Sequence, residues 1–154
     1  MEKIDIEKEK QKYRFSHEIQ VQFRDLDAMG HVNNAVFFSY FEIVRTAYFE
    51  ELGLPLHKPI TDFKDFPFIL LETSCKFLSP ALFLETLVFY ARVSRIGNKS
   101  FDMEYLVTSK TDGRLVAMGK STQVHYDYKT GKTTRLPDWM RKRFEEFEGK
   151  ALEG

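Results

Sequence analysis

The fold of this chain is decided by one stretch of eleven residues, Arg24-Asp25-Leu26-Asp27-Ala28-Met29-Gly30-His31-Val32-Asn33-Asn34. Before it, over residues 15–23, apolar and polar side chains alternate as in a strand with one buried face. After it, residues 33–52 form an almost wholly apolar segment with helical spacing. Two carboxylates, a histidine and two asparagines so close together indicate a reaction site rather than a connector. Gly30 can adopt a backbone conformation closed to other residues, and Asn33 or Asn34 can cap the helix.

The same stretch offers the two groups that cleavage of an acyl bond requires. Asp27 lies seven residues before Asn34, so the loop can fold the Asp27 carboxylate back over the start of the helix. The first turn of a helix presents backbone N–H groups that have no partner within the helix and can hold a negative oxygen. A carboxylate facing them can act as a base or a nucleophile. The competing interpretation is that Asp27 caps a turn, which is the commoner use of an Asp in a loop.

A family resemblance rests on the motif Asp25-Leu26-Asp27-Ala28-Met29-Gly30-His31-Val32-Asn33-Asn34, which is followed by Phe38, Tyr40-Phe41-Glu42 and Arg45. This pattern resembles the signature of hotdog-fold acyl-CoA thioesterases, and more narrowly that of the 4-hydroxybenzoyl-CoA thioesterase-like group. The resemblance implies a curved antiparallel sheet wrapped around a long central helix. It also implies that Asp27 is the catalytic carboxylate and that the backbone N–H of Asn34 polarises the thioester carbonyl.

The rest of the chain predicts an α+β fold with an antiparallel sheet. Runs rich in β-branched and aromatic residues predict strands over residues 68–77, 85–96, 99–109 and 114–128. Gly97-Asn98 and Asp112-Gly113 join consecutive strands and are hairpin signals. A short C-terminal helix follows Pro137. Its expected apolar side consists of Trp139, Met140, Phe144 and Phe147.

Length and composition limit the domain organisation and the possible partners. A chain of 154 residues is expected to form a flexible charged N-terminus over residues 1–12 and one domain over residues 13–154. The net charge is zero, which gives no electrostatic reason to bind nucleic acid or an acidic membrane. The single cysteine, Cys75, excludes an internal disulfide. No apolar run is long enough to span a membrane, so a cytoplasmic protein is expected. The resembled family implies no metal, and no other cofactor is expected.

Further candidate site residues surround the central motif or lie elsewhere in the chain. Asp25 is expected to hold the loop or pair with Arg24, while His31 could position the substrate or the loop, or cap the helix. Glu42 and Arg45 are charges on an apolar helix, where each needs a partner, either each other or a neighbouring subunit. Glu42 could also contact the site. The remaining expected substrate-binding residues are Gly30, Asn33, Phe37, Arg95 and Lys99, the last two as cations for the coenzyme A phosphates unless they form a solvated hairpin tip.

The predicted function is hydrolysis of an acyl-CoA to a free acid and coenzyme A, with Asp27 as either nucleophile or general base. Two alternatives remain open at this stage. The first is a hotdog hydratase or dehydratase that acts on a β-hydroxyacyl thioester through His31 and Glu42. The second is a module that binds acyl-CoA without cleaving it. The sequence does not decide whether coenzyme A or a carrier protein holds the acyl group.

Two further expectations concern the acyl group and the assembly. A medium- to long-chain aliphatic acyl group is expected from the aromatic side chains of the helix and the following loop, which are Phe37, Phe38, Phe41, Phe63, Phe66 and Phe68. A homo-oligomer, dimer or tetramer, is expected because one curved sheet around so apolar a helix leaves a sheet edge uncovered.

Overall fold

The computed structural model describes residues 3–54 and 67–154. Its helices are α1 (Ile6–Lys10), α2 (Val36–Glu51) and α3 (Asp138–Glu148), and a 3₁₀ turn spans Phe23–Asp25. Its strands are β1 (Phe15–Gln20), β2 (Phe68–Phe77), β3 (Thr86–Ile96), β4 (Ser100–Ser109), β5 (Leu115–Asp127) and β6 (Lys132–Thr133). Helix α1 lies within the segment predicted to be flexible. None of the helices in these two ranges is long and apolar enough to cross a lipid bilayer.

The strands form one curled antiparallel sheet in the order β1-β3-β4-β5-β2, with the short β6 beside β5. Tight hairpins join β3 to β4 and β4 to β5, at the two turns that the sequence predicts. Strand β1 pairs with β3 from Phe15 opposite Ala91 to Gln20 opposite Thr86. Because β1 and β2 each have one strand neighbour in the described residues, they are the two edges of the sheet.

Helix α2 fills the concave side of this sheet and supplies the centre of the core. The Phe41 ring stacks on Tyr105 of β4, with ring centroids 4.5 Å apart. Gly119 of β5 leaves room for that ring, because a Cβ at this position would lie 2.5 Å from Phe41. Further along the helix, the buried Tyr48 and Phe49 continue the same packing. A helix that is apolar on most sides is therefore enclosed by the curved sheet, as predicted.

Helix α3 closes one end of the core through a buried carboxylate. Glu148 accepts hydrogen bonds from the Tyr48 hydroxyl at 2.6 Å and from the backbone N–H of Val93 at 3.2 Å. Burial raises the pKa of Glu148, and the two hydrogen bonds oppose that rise. Met140 and Phe144 face the core as predicted, whereas Trp139 is 48% exposed. The prediction for Trp139 was wrong because it precedes Met140 by one residue and so projects from a different side of the helix.

Two boundaries near the central motif differ from the sequence prediction. The strand predicted over residues 15–23 ends at Gln20, where its partner β3 begins. Phe23, expected on the buried face, lies in the 3₁₀ turn with 78% of its surface exposed. The central helix begins at Val36 rather than at residue 33. Both differences have one cause: the motif forms its own turns between the strand and the helix.

Candidate active site

Residues 26–32 form a narrow loop that closes on itself. Leu26 and Val32 make an isolated antiparallel bridge. Inside that bridge, the Asp27 N–H donates to the His31 carbonyl at 2.8 Å, and the Gly30 N–H donates to the Asp27 carbonyl at 3.1 Å. Gly30 has φ +81°, a left-handed conformation that favours glycine. The loop is therefore a defined structure in which Gly30 makes the reversal possible.

The two oxygens of the Asp27 carboxylate have different surroundings. Oδ1 accepts from the backbone N–H of Met29 at 2.9 Å and from that of His31 at 3.4 Å. Oδ2 makes no hydrogen bond within the described residues, and the side chain is exposed. In the single chain Asp27 is therefore not buried beneath the helix. One oxygen caps the turn, and the other remains available.

Asp25 has the structural role that the sequence predicts, through a partner that was not predicted. Its Oδ2 accepts from the backbone N–H of Gln22 at 2.9 Å and from the Tyr40 hydroxyl at 2.7 Å. Burial of the phenol and this hydrogen bond to Asp25 both raise the pKa of Tyr40, so the hydroxyl keeps its proton. Tyr40 lies on α2, and the bond therefore anchors the loop to the central helix.

The start of α2 leaves one backbone donor, the Asn34 N–H, without a partner among the described residues. The Asn33 side chain accepts from the Ala35 N–H at 2.9 Å, so Asn33 organises the turn that precedes the helix. The Asn33 N–H donates to the Asp25 carbonyl, and the Val36 N–H donates to the Asn33 carbonyl. The Asn34 N–H has no acceptor among the described residues. No side chain of the described residues caps α2 itself, whose N-cap is Ala35, so the expected capping by Asn33 or Asn34 is wrong. Asn33 instead holds the preceding turn, and Asn34 offers its N–H.

These groups border one cleft of about 420 Å³ between the loop, the start of α2 and the segment after β2. Its polar lining consists of Asp27, His31, Asn33, Asn34 and Ser79, and its apolar lining of Met29, Val32, Phe37, Phe77, Leu78, Pro80 and Ala81. All three residues predicted to be catalytic, Asp27, His31 and Asn34, therefore border the same space. The predicted binding residues Asn33 and Phe37 also line it, and Gly30 shapes its loop.

Three other predicted binding residues lie away from the cleft. Arg95 and Lys99 flank the β3–β4 turn, at the end of β3 opposite the loop. Strand β3 has eleven residues, which places that turn roughly 30 Å away at ~3.3 Å per residue. Arg95 there contacts Asp102 and the Gly154 carbonyl. Glu42 is exposed on α2 and is not among the residues that line the cleft.

The pair that the sequence suggested between Glu42 and Arg45 does not form within the chain. Arg45 is buried, and its Nη1 donates to the Tyr105 hydroxyl at 3.4 Å. Tyr105 is hydrogen-bonded in turn to Ser121 at 2.7 Å. The Arg45 side chain therefore runs toward β4 and β5, whereas Glu42 is exposed to solvent, and the two charges diverge although they are three residues apart.

The far wall of the cleft depends on a clamp that sequence reasoning missed. Arg114, at the start of β5, donates to Ser79 Oγ at 3.0 Å and to both carboxylate oxygens of Glu85 at 2.9 Å. The Val32 N–H donates to the Ala81 carbonyl at 2.9 Å, which joins this wall to the loop. No local pattern around Arg114 signals the clamp, because its partners are 29 and 35 residues away.

Neither a metal site nor a reactive thiol is found in the described ranges. No three His, Cys, Asp or Glu side chains there are grouped in a way that could hold a metal ion. Cys75 is half-buried against the core, and burial raises the pKa of its thiol to about 11. This environment is that of a packing residue rather than of a reactive thiol.

Comparison with known proteins identifies the family. The family model of the thioesterase-like superfamily matches residues 21–144. The chain belongs to the thioesterase-like superfamily. The match begins just before the central motif and ends within α3, so it includes the cleft and the whole sheet except β1.

Individual proteins are similar to this chain over most of its length. A thioesterase from Thermus thermophilus, whose crystal structure contains coenzyme A and zinc, is 32% identical to this chain. The two structures have a TM-score of 0.77, and the match covers 91% of this chain and 98% of the Thermus chain. YsmA of Bacillus subtilis is 27% identical over 129 residues, 84% of each chain. The long-chain acyl-CoA thioesterase FadM of Escherichia coli is 25% identical over 129 residues, 84% of this chain and 96% of FadM. The hotdog fold and a thioester hydrolase activity are thereby confirmed.

Proposed function

We propose that this member of the superfamily hydrolyses an acyl-CoA to a free acid and coenzyme A, with the Asp27 carboxylate and the Asn34 N–H as its reacting groups. The observation that carries the proposal is that Oδ2 of Asp27 and the N–H of Asn34, both without partners in the described residues, belong to residues of one cleft. Acyl transfer requires such a negative oxygen and an oxyanion donor. The coenzyme A complex of the Thermus relative supports coenzyme A as the leaving group.

Two routes use these groups, and both remain open. As a general base, Asp27 takes a proton from water while the water oxygen bonds to the thioester carbon, and the carbonyl oxygen becomes an oxyanion beside the Asn34 N–H. Collapse of this intermediate breaks the C–S bond and releases the thiolate. As a nucleophile, Asp27 bonds to the thioester carbon itself and expels the thiolate, and water then hydrolyses the resulting anhydride.

His31 is the third polar group of this mechanism. Its backbone makes two bonds with Asp27, and its ring makes no hydrogen bond in the described part of the chain. We assign the ring to positioning the thioester. The hydratase alternative would need His31 and Glu42 to act on one substrate, and the placement of Glu42 outside the cleft speaks against it.

The acyl group is proposed to be a medium- to long-chain aliphatic one. The support is the apolar part of the cleft, where Phe37 packs edge-on against Phe77 with centroids 5.5 Å apart, together with the long-chain activity in the name of FadM. Phe41 and Phe68 belong to the core, so these two rings add nothing to the support. Phe63 and Phe66, the two aromatic residues named from the loop after the helix, lie outside the described residues.

A homodimer that joins two sheets through β2 is proposed as the working assembly. Strand β2 is ten residues long and has an unpaired edge in the described residues. It also exposes Leu70, Leu71 and Phe77, with 67% of Leu71 accessible. A long apolar edge of this kind pairs with another chain unless it is protected. Light scattering that gave only the 18.2 kDa monomer at micromolar concentration would contradict the dimer.

A panel of acyl-CoA substrates with colorimetric detection of free thiol tests the activity. We expect thiol release, with kcat/KM rising about fourfold for each methylene that the cleft buries. Equal kcat/KM for acetyl-CoA or an aromatic acyl-CoA and for a ten-carbon substrate would refute the chain-length preference. Binding of every substrate without release of thiol would instead identify a binding module, and a change in double-bond absorbance without thiol would identify a hydratase.

A further inference from the structure

Arg45 is a buried charge for which the described chain offers no counter-charge. Only 9% of its surface is exposed, and it forms no salt bridge within the described residues. Its one hydrogen bond there is to the neutral Tyr105 hydroxyl, at the long distance of 3.4 Å. By contrast, the buried Arg141 is held by Glu153 and three carbonyl groups. Buried charges in proteins are normally paired, so Arg45 is missing a partner.

A carboxylate in the opposite situation lies one helical turn away. Glu42 is exposed on α2, and its side chain makes no bond within the described residues. Residues three apart on a helix project from neighbouring positions of the same side. Helix α2 thus carries an exposed anion beside a buried cation, and neither has a counter-charge within the described residues. Such a surface is complementary to a second copy of itself.

Helix α2 lies along the free edge strand, with these two charges near its middle. At one end Phe37 contacts Phe77, with centroids 5.5 Å apart, and at the other end Phe49 contacts Phe68, with centroids 5.2 Å apart. Phe77 and Phe68 are the two terminal residues of β2. The helix segment 37–49 therefore runs the length of β2, and Glu42 and Arg45 flank the middle of this segment.

An antiparallel pairing of β2 with its copy fixes what those charges meet. Two antiparallel strands of one sheet are related by a two-fold axis perpendicular to the sheet, so both concave sides face the same way. The two α2 helices then lie side by side, also antiparallel. If the axis passes through the middle of β2, a residue on one side of the middle of segment 37–49 faces a residue of the partner helix. That residue lies equally far from the middle of the partner's segment, on its other side. In such a two-fold contact every pair occurs twice.

We infer that Arg45 pairs with Glu42 of the partner subunit, in two symmetric ion pairs between the central helices. This inference rests on the dimer proposed above and assigns its α2 contact. It accounts for the missing counter-charge of Arg45 and for the exposed Glu42 together. It also links assembly to the cleft, because Phe37 lines the cleft and lies on the same helix, about two turns or less from both charges.

Charge reversal tests the pair and separates it from a contact within one chain. Glu42→Arg and Arg45→Glu each place like charges opposite one another twice, so each is expected to raise the Kd of the dimer at least about 100-fold. An equimolar mixture of the two variants should form heterodimers, in which both opposed pairs are again Arg with Glu. Sedimentation velocity measures the Kd, and native mass spectrometry with one variant isotope-labelled identifies the heterodimer. An intrachain pair would gain nothing from mixing.

Controls keep each outcome decisive. Glu51→Arg makes the same charge change at an exposed site of α2 and should leave the Kd within about threefold of wild type. If circular dichroism shows that Arg45→Glu does not fold, a double variant with Glu42→Arg and Arg45→Met in one chain replaces it. This double variant should have a lower dimer Kd than Glu42→Arg alone, because a methionine at position 45 does not repel the arginine at position 42 of the partner. If the wild type dimerises but neither the mixture nor the double variant restores dimerisation, the proposed ion pair is refuted. A monomeric wild type overturns the dimer itself, and the hydrolase activity is measured independently of both.

Discussion

Replacing Asp27 by Asn separates its two roles, because the structure assigns one oxygen to each. Oδ1 caps the turn through the backbone N–H groups of Met29 and His31. An Asn side chain carries an oxygen at the same place, so these bonds persist and the loop keeps its shape. Its NH₂ group replaces Oδ2, which has no partner to lose in the described residues. We therefore expect the free energy of unfolding to change by no more than about 0.5 kcal/mol, as for other exposed positions.

The expected loss of activity is far larger than this loss of stability. Both proposed routes need a negative charge at Oδ2, either to take a proton from water or to attack the thioester carbon. A positioned base contributes roughly 10²–10⁴-fold to a rate, which corresponds to about 3–5 kcal/mol of transition-state stabilisation. Thiol release from a ten-carbon acyl-CoA should fall by that factor in Asp27→Asn, while KM changes little because the apolar lining of the cleft is untouched.

Asp25→Asn is the matched control, since it makes the same chemical change two residues away. Asp25 accepts from the Tyr40 hydroxyl and the Gln22 N–H, so losing its charge weakens two bonds and should cost about 1 kcal/mol, or ~2–4 °C in Tm. Its activity should stay within a few-fold of wild type. If a folded Asp27→Asn protein hydrolysed acyl-CoA within about fivefold of wild type, neither route through Asp27 would stand, and His31 would become the residue to examine.

Three further changes test the supports of the site and core by thermal unfolding. Tyr40→Phe removes the hydroxyl that holds Asp25 and should lower stability by about 1–2 kcal/mol, seen as a lower Tm in calorimetry. Gly119→Ala places a Cβ 2.5 Å from the Phe41 ring, so overpacking should cost about 1–3 kcal/mol, and an unchanged Tm would contradict the packing described. Burial raises the pKa of Glu148 in the folded protein above its value in the unfolded chain. Protonated Glu148 therefore contributes to stability at low pH, and this contribution is lost as the pH rises through the folded-state pKa. The Tm of Glu148→Gln relative to wild type should therefore rise as the pH is raised above the ordinary pKa of a glutamate carboxyl, and a pH-independent difference would contradict this assignment.

The sequence predicted the elements of this fold well because most of their determinants are local. Strand β2 has the bounds that its β-branched and aromatic residues predict. Strands β3 and β4 each begin one residue later than predicted, and β5 begins one residue later and ends one residue earlier. Phe23 shows the limit of such reasoning. The alternation of apolar residues continues through Phe23, but the strand ends where β3 stops pairing with it. The alternation in the sequence of β1 does not show where its partner strand β3 begins.

In the candidate site, too, the features that depend on neighbouring residues could be predicted and those that depend on distant residues could not. Asp27, Gly30 and Asn34 could be singled out because they lie within eight residues of one another and their turn chemistry is local. The clamp from Arg114 to Glu85 and Ser79 could not, because it joins residues that only the folded sheet brings together. The same holds for the divergence of Glu42 and Arg45, whose spacing predicted a pair that the surroundings of the helix prevent.

The two interpretations of Asp27 that the sequence left open, turn cap and catalytic carboxylate, are compatible because a carboxylate has two oxygens. An exposed Asp that made no bond would exchange between rotamers and hold its charge in no fixed direction. The bonds from Met29 and His31 to Oδ1 restrict that exchange, so Oδ2 keeps a constant position relative to the loop. Asp25, bonded to Tyr40, in turn fixes the loop relative to α2 and therefore to the Asn34 N–H. The capping bonds thus orient the free oxygen, and the commoner role of the residue provides the geometry that the proposed catalytic role requires.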